Sequence, residues 1–500
     1  KWRDRADLPA HNGVLWIKGK PGAGKSTLMK HALQHCEEVF VDHLIVAYFF
    51  NARGEILEKT PLGMLRSIRQ SKPLLLLVDA LDECDDRGVR DVVGFLESLS
   101  RDAVQAGVTL RICLSSRHYP NVSMRKTLEL TVEASEEHRR DIATYIAQKL
   151  EGHDDDIKAK VREKAGGIFM WVVIVVSLLN KAYDDGRLEA MREALEEVPS
   201  DLEEVFNRLL SQDDPNKAET VRMLQRVLLS RRPLKPKELF FAVLAGTTPK
   251  YTGPWDRSKV TGHIIQRRIT ASSKGLIEAR TGDTASVQFI HLSVNDFLFR
   301  NQRLQTLDET LEPDQISASH GQLWQRCWSD IKRLDTASTS AQDMRQLSGN
   351  YPFLLYAASY IFDHAEKALS GGAMQQEIVR WLRIRNDWFG WWKTFLSTVD
   401  SYGEHSYLKD KMDAGPLYVL SLLGYQKLVT LVLAEGAADV NAQGGHYGNA
   451  LQAASYRGRG EIVRQLLERG ADRGADVNAQ GGELGTALQA ASFKGYGKIV

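Results

Sequence analysis

The sequence is poor in cysteine, poor in proline and almost without net charge, and each shortage closes off a class of protein. Its 500 residues hold four cysteines, Cys36, Cys84, Cys113 and Cys327, with no CxxC pair and no histidine cluster beside them. That excludes a disulfide scaffold and a structural zinc site, and it fits a reducing, intracellular and cytoplasmic setting. Fourteen prolines among 43% hydrophobic and 26% charged residues exclude a disordered or fibrous chain. Sixty-five Lys and Arg oppose 64 Asp and Glu for a net charge of +1, so neither nucleic acid nor an anionic membrane is expected as a partner. The longest apolar run, Ile168 to Leu179, is twelve residues with Ser177 inside it. It is too short to span a bilayer and is expected as a buried helix. The chain opens on Lys1 without a leader-like segment and stops at Val500 inside a repeating pattern, so both ends are expected to be cut.

At about 150 residues per domain, three or four domains are expected. The first 130 residues alternate short apolar runs with helical stretches, the pattern of a parallel α/β sheet. Strands are predicted at Val14–Lys18, Leu44–Phe50, Leu74–Asp79 and Leu110–Leu114, with an edge strand at Thr127–Leu130 and a helix over Ser26–Cys36. The Leu74 run has no polar alternation, as a strand covered on both faces should look. The period then turns helical over Arg139–Leu150 and Ile157–Asn180. Helices continue over 201–245, interrupted at Arg232-Pro233-Leu234. Strand-like Gly275–Arg280 and Ser286–Ile290, followed by a helix from Ser293, suggest a winged-helix module. Residues 305–400 read as helical and aromatic-rich, and the cluster Trp381, Trp388, Trp391 and Trp392 is expected to pack a core. The acidic run Asp154-Asp155-Asp156 is expected at a helix N-terminus.

The C-terminal part repeats itself. Ala438–Gly445 (ADVNAQGG) returns as Ala475–Gly482, and Ala450–Ser455 (ALQAAS) as Ala487–Ser492, each 37 residues later. Each unit reads as a turn, a short helix, a loop and a second helix such as Glu461–Arg469. The unit resembles the ankyrin repeat of about 33 residues, with Ala471-Asp472-Arg473-Gly474 as the extra four. Gly415–Gly436 is a degenerate earlier copy, with a second helix at Lys427–Ala434.

The chemistry sits near the N-terminus. Gly19-Lys20-Pro21-Gly22-Ala23-Gly24-Lys25-Ser26 satisfies G-x-x-x-x-G-K-[ST] at every fixed position, after a strand and before a helix. Glycines let the backbone wrap phosphates, and successive N–H groups with a helix N-terminus form an anion nest, which Thr27 continues. Lys25 reaches the β- and γ-phosphates and the Ser26 hydroxyl ligates Mg²⁺. Asp79, ending the buried strand, takes the water-mediated Mg²⁺ contact. Asp82 and Glu83 follow it, and either orients an attacking water or caps the next helix. Ser115-Ser116-Arg117 ends the fourth strand, where Arg117 is placed to meet a γ-phosphate.

In this order GKPGAGKST, LLLLVDALDEC and LSSR resemble a NACHT domain of the STAND class of P-loop NTPases. Lys164–Trp171 (KAGGIFMW), Arg232-Pro233-Leu234 with Glu238-Leu239, Phe289–Val294 with Asp296-Phe297-Leu298, and Tyr351–Leu354 are similar to segments of NACHT–ankyrin proteins of filamentous fungi. The resemblance implies a P-loop domain at 8–130, a helical domain at 131–205, a winged-helix-like domain at 206–300, a helical linker at 301–411 and ankyrin repeats at 412–500. It implies ATP or ADP with Mg²⁺, GTP being the other candidate, and slow hydrolysis used as a latch. It further implies a protein ligand at the repeats, self-association on activation, and an N-terminal effector domain absent from this sequence. His291 matches the histidine that touches the β-phosphate in the family's closed state; its other reading is a packed core histidine. One departure is the spacing from Ser26 to Asp79, 53 positions, which is short for the family. With Thr60–Pro73 running almost directly into the Leu74 strand, it implies a lost helix–loop–helix and reduced nucleotide affinity. The rival reading is an interaction scaffold with a degenerate nucleotide site.

Overall fold

The computed structural model describes residues 2–50, 73–84, 86–118, 124–152, 154–184, 188–211, 216–244, 253–280, 285–311, 314–334, 340–371, 387–400, 414–436, 438–468 and 475–497. Most of the Thr60–Pro73 stretch, Trp381 and the four-residue repeat insertion at 471–474 lie outside them. The chain forms two compact units, Lys1–Leu209 with His291–Ser293, and Leu210–Ile290 with Val294–Val500.

The described residues of the first unit form five strands: β1 (Val14–Lys18), β2 (Leu44–Phe49), β3 (Leu74–Asp79), β4 (Leu110–Ser116) and β5 (Leu128–Thr131). They form one parallel sheet in the order β2-β3-β4-β1-β5. Helix α1 (Lys25–Val39) lies on one face, where Met29 and Cys36 pack on Ile17, Leu75, Leu77 and Cys113. Helix α2 (Asp86–Gln105) lies on the other, where Val89, Val92, Val93 and Leu96 meet Trp16, Leu76, Val78, Ile112 and Leu114. Successive strand residues thus feed opposite cores, which is why the β3 run Leu74–Val78 is apolar without alternation. This is an α/β architecture compatible with a P-loop NTPase. All four cysteines are buried, and none forms a disulfide.

Most predicted elements shift by a few residues at their ends, and two differences from the sequence reading go further. β4 continues two residues past Leu114, because Ser115 and Ser116 still pair with Ile17 and Lys18 of β1. Buried, these hydroxyls find partners, Ser116 accepting from the Trp16 indole at 2.9 Å. The periodic stretch Ile157–Asn180 is two helices, parts of α4 (Asp155–Ala165) and α5 (Phe169–Asp184), which follow α3 (Glu136–Lys149). The break is Gly166-Gly167, at φ +52° and +78°, a left-handed pair that ends a helix readily. Asp154 caps α4 by accepting from the N–H groups of Asp156 and Ile157. The apolar run lies in α5, with Trp171, Val172, Val175 and Leu179 buried and the Trp171 indole donating to the Pro199 carbonyl at 2.7 Å. No helix among the described residues is long and apolar enough to cross a membrane.

Among its described residues the second unit is helical apart from an antiparallel pair, β6 (Ile277–Arg280) and β7 (Ser286–Phe289), which follows a helix at Gly262–Ser272. Its core holds α6 (Gln315–Lys332), α7 (Leu354–Ala368) and α8 (Asp387–Val399). Trp388, Trp391 and Trp392 on α8 are buried, and the Trp392 indole donates to Ala358 of α7 at 2.6 Å. Short helix pairs follow, α9 (Pro416–Leu423) with α10 (Gln426–Ala434), then α11 (Ala450–Tyr456) with α12 (Gly460–Glu468), then α13 (Ala487–Phe493). The repeated residues do the same work in each copy. Asn449 with Gln452 and Thr486 with Gln489 form capping boxes at the starts of α11 and α13.

Two buried histidines join α6 to α7. His320 and His364 face each other through their Nδ1 atoms at 2.9 Å, and His364 Nε2 lies 3.0 Å from the Tyr356 hydroxyl. Burial, with Lys367 and Arg231 nearby and only Asp314 opposing, pushes His320 down to about 3. Burial, with His320, Lys367, Arg226 and Arg231, holds His364 well below the usual imidazole range. Both are therefore neutral when folded, while the unfolded chain takes up protons below about pH 6.5. Stability should be complete above that pH and fall beneath it by up to about 2.7 kcal/mol per pH unit for the pair. Urea denaturation of the second unit between pH 7.5 and 4.5 checks this, and His320→Asn should roughly halve the slope.

Candidate nucleotide site

β1 ends at Lys18, and the loop from Gly19 to Gly24 leads into α1, which opens on Lys25 and Ser26. Gly22 and Gly24 sit at φ +80° and +91°, a region costly to any residue with a Cβ. Gly24 is also the N-cap of α1, so it has no side chain to offer the first helical N–H groups. The space where its Cβ would lie is open. Unsatisfied helical N–H groups facing an open space are a donor set for phosphate oxygens. Ala23 is buried and its N–H bonds the Lys20 carbonyl at 3.2 Å, closing the bend through Pro21. Ser26 and Thr27 are exposed on the first turn. The Lys25 ammonium lies back along the loop, donating to the carbonyls of Gly19 at 2.9 Å and Lys20 at 3.0 Å. Burial lowers its pKa; Asp82, Glu133 and Asp79 act in the opposite direction, and Arg117 adds to the lowering.

β4 lies between β1 and β3, so the ends of those strands share one sheet edge. Asp79 is buried there and accepts from the Ser115 hydroxyl, which also accepts from the Ala80 N–H at 3.3 Å. Ala80 has φ +53°, an unfavourable conformation for alanine that turns the chain sharply after Asp79. The turn carries Leu81-Asp82-Glu83 across to β4. Asp82 accepts from the Arg117 backbone N–H at 2.9 Å and pairs with its Nε at 2.9 Å, both side chains largely buried. Glu83, next to it, is half-buried. Lys25, Asp79, Asp82 and Arg117 thus converge. His291 groups with the first unit. Its Nδ1 accepts the Ser293 N–H at 3.0 Å, which puts the proton of the neutral ring on Nε2.

Three further residues shape the loop from outside it. The Met170 N–H donates to the Gly22 carbonyl at 3.0 Å, and a Cβ on Gly22 would come within 2.9 Å of Met170 Cβ. Gly167 packs on the backbone of Glu133. Glu133 itself accepts from the Lys20 N–H at 3.2 Å. The similarity of 164–171 to fungal proteins drew attention to the segment; for Glu133 the sequence offered no signal beyond its place after an edge strand.

Comparison with known proteins adds relatives to this geometry. Residues 1–71 match the family model described as Nephrocystin 3, N-terminal. The chain is 32% identical over 298 residues to the azaphilone pigments biosynthesis cluster protein L of Monascus ruber, covering 56% of this chain and 61% of that protein. It is 23% identical over 364 residues to the vegetative incompatibility protein HET-E-1 of Podospora anserina, covering 60% of this chain and 25% of that protein. The chain therefore spans less than two thirds of either relative.

The Ser115 hydroxyl is the partner that makes a buried carboxylate at Asp79 tolerable. Ser115→Ala should cost about 1–3 kcal/mol, the penalty for a buried acceptor stripped of its donor, read as a lowered urea midpoint.

Proposed function

We infer that the chain is kin to NACHT-like fungal proteins and signals in the NOD-like manner, a reading that the matches support. We propose that the chain is a nucleotide-dependent switch of that type, binding ATP or ADP with Mg²⁺. The observation that carries this is the convergence of an uncapped helix N-terminus, Lys25, Asp79 and the Asp82–Arg117 pair at one sheet edge. The donor set suits a phosphate chain: N–H groups and an ammonium below, and open space at Gly24. Bound Mg²⁺ would neutralise phosphate charge.

In this reading the loop Gly19–Thr27 wraps the phosphates and Lys25 leaves the carbonyls of Gly19 and Lys20 to meet them. Ser26 and, through water, Asp79 hold the metal. Asp82 and Glu83 orient an attacking water, and Arg117 meets the γ-phosphate. His291 Nε2 donates to the β-phosphate in the closed form. Hydrolysis is slow and sets the state of the latch. The repeating helix pairs after residue 412 act as ankyrin repeats that bind a protein ligand, and release of the latch permits self-association. The name of the Podospora relative directs this proposal towards fungal incompatibility signalling in the cytoplasm, through an N-terminal effector. The proposed domains remain 8–130, 131–205, 206–300, 301–411 and 412–500.

Lys25→Ala tests it. The variant should keep its circular dichroism spectrum, bind Mg·ATP and Mg·ADP at least about a hundredfold more weakly, and lose any nucleotide-dependent change of mass in light scattering. Unaltered nucleotide binding, or partner binding and association indifferent to nucleotide, would favour a scaffold instead. Parallel titration with GTP decides the base.

A further inference from the structure

Glu133 lies in the short turn Val132–Ala134 that follows β5, beside the P-loop rather than in it. Its side chain touches the loop at two points. Oε2 accepts the Lys20 N–H at 3.2 Å, and it occupies the space a Cβ on Gly19 would need, 2.8 Å away. The other oxygen, Oε1, pairs with Nε2 of the exposed His118 at 2.7 Å. The carboxylate is itself only 11% exposed. Burial would raise its pKa, but the bonds from His118 and the Lys20 N–H outweigh that and hold it below the usual carboxylate range. It is therefore charged at neutral pH.

The backbone beneath it has little room to move. A Cβ on Gly167 would come within 2.5 Å of Glu133 Cβ and 3.0 Å of its carbonyl oxygen, so the two chains are in close contact. The Gly167 carbonyl lies 2.9 Å from His138 Nε2 on α3. Glu133 cannot leave the loop by a main-chain shift without disturbing α3 and the Gly166-Gly167 break.

The charges that face Lys25 are Arg117, of the same sign, and the carboxylates of Asp82, Glu133 and Asp79. Asp82 is tied to Arg117, and Asp79 stands where a metal would offset it. Glu133 pairs with the exposed His118 through Oε1, while Oε2 stays turned to the Lys20 N–H inside the loop. Phosphates entering the loop would bring like charge towards a fixed, largely buried anion, in a setting where water screens poorly.

We propose that Glu133 is an acidic gate on the nucleotide site, holding the Gly19–Lys20 bend when the loop is empty and opposing phosphate in proportion to its charge. This rests on the reading of the loop as a nucleotide site. The gate sets how tightly nucleotide is held and favours the diphosphate over the triphosphate.

The test is Glu133→Gln, which keeps an oxygen acceptor for the Lys20 N–H and removes the charge. Binding of adenosine, Mg·ADP and Mg·ATP to the full chain is compared by titration calorimetry, after nucleotide has been stripped from the protein. The variant should bind Mg·ADP several-fold and Mg·ATP roughly tenfold more tightly than wild type, with adenosine unchanged. Glu133→Ala separates charge from support. A gate predicts tighter Mg·ATP binding in this variant too, whereas a strut that merely shapes the loop predicts weaker binding. Wild type that binds nucleotide with both variants unchanged or weaker overturns the gate alone. If wild type and both variants fail to bind any nucleotide, the reading of the site falls and the gate with it.

Discussion

Everything proposed for the first unit depends on β4 running between β1 and β3. A parallel strand in that position brings the ends of three non-consecutive strands to one edge, where a loop can be shared. The pairing of Ile17 with Ser115 and Lys18 with Ser116 fixes how far each end projects. Ser115 then reaches Asp79, and Arg117 reaches Asp82. Neither contact follows from the local chain. Both follow from register, which a parallel sheet buried on two faces holds firmly. A shift of one residue would turn Ser115 away from Asp79 and expose Leu114 to the wrong layer.

The second constraint is close approach. Gly19, Gly22 and Gly167 are positions where an added methyl group would strike a neighbour. In each case the neighbour is Glu133, in the turn after β5, or Met170, at the start of α5. Glycine at 22 allows a positive φ and also admits Met170, whose N–H takes the Gly22 carbonyl. The P-loop is thus held by the helical segment that follows the Gly166-Gly167 break as well as by its own strand and helix.

The strands of the sheet were legible because buried parallel strands are short, apolar and bounded by turns. The fixed residues of the phosphate loop were legible because their spacing follows from the chemistry of phosphate. Ser115 and Ser116 were harder: two serines read as the end of a strand, and only pairing with β1 shows that the strand goes on. The break at Gly166-Gly167 was hidden inside an unbroken apolar period, since the next helix resumes the pattern almost in phase. Glu133 was not legible at all. One acid after an edge strand looks like any solvated turn residue, and its meaning comes from Gly167 and Lys20, each distant in sequence. The buried pair His320 and His364, 44 residues apart on α6 and α7, was hidden for the same reason.

The central claim is that the first unit holds a nucleotide, and the most direct measurement is the nucleotide content of the purified chain. The protein is denatured and its supernatant resolved by ion-exchange chromatography. The account predicts ADP in near-stoichiometric amount, or full loading on addition of Mg·ADP to stripped protein. A chain that releases none and binds none when it is added would contradict it.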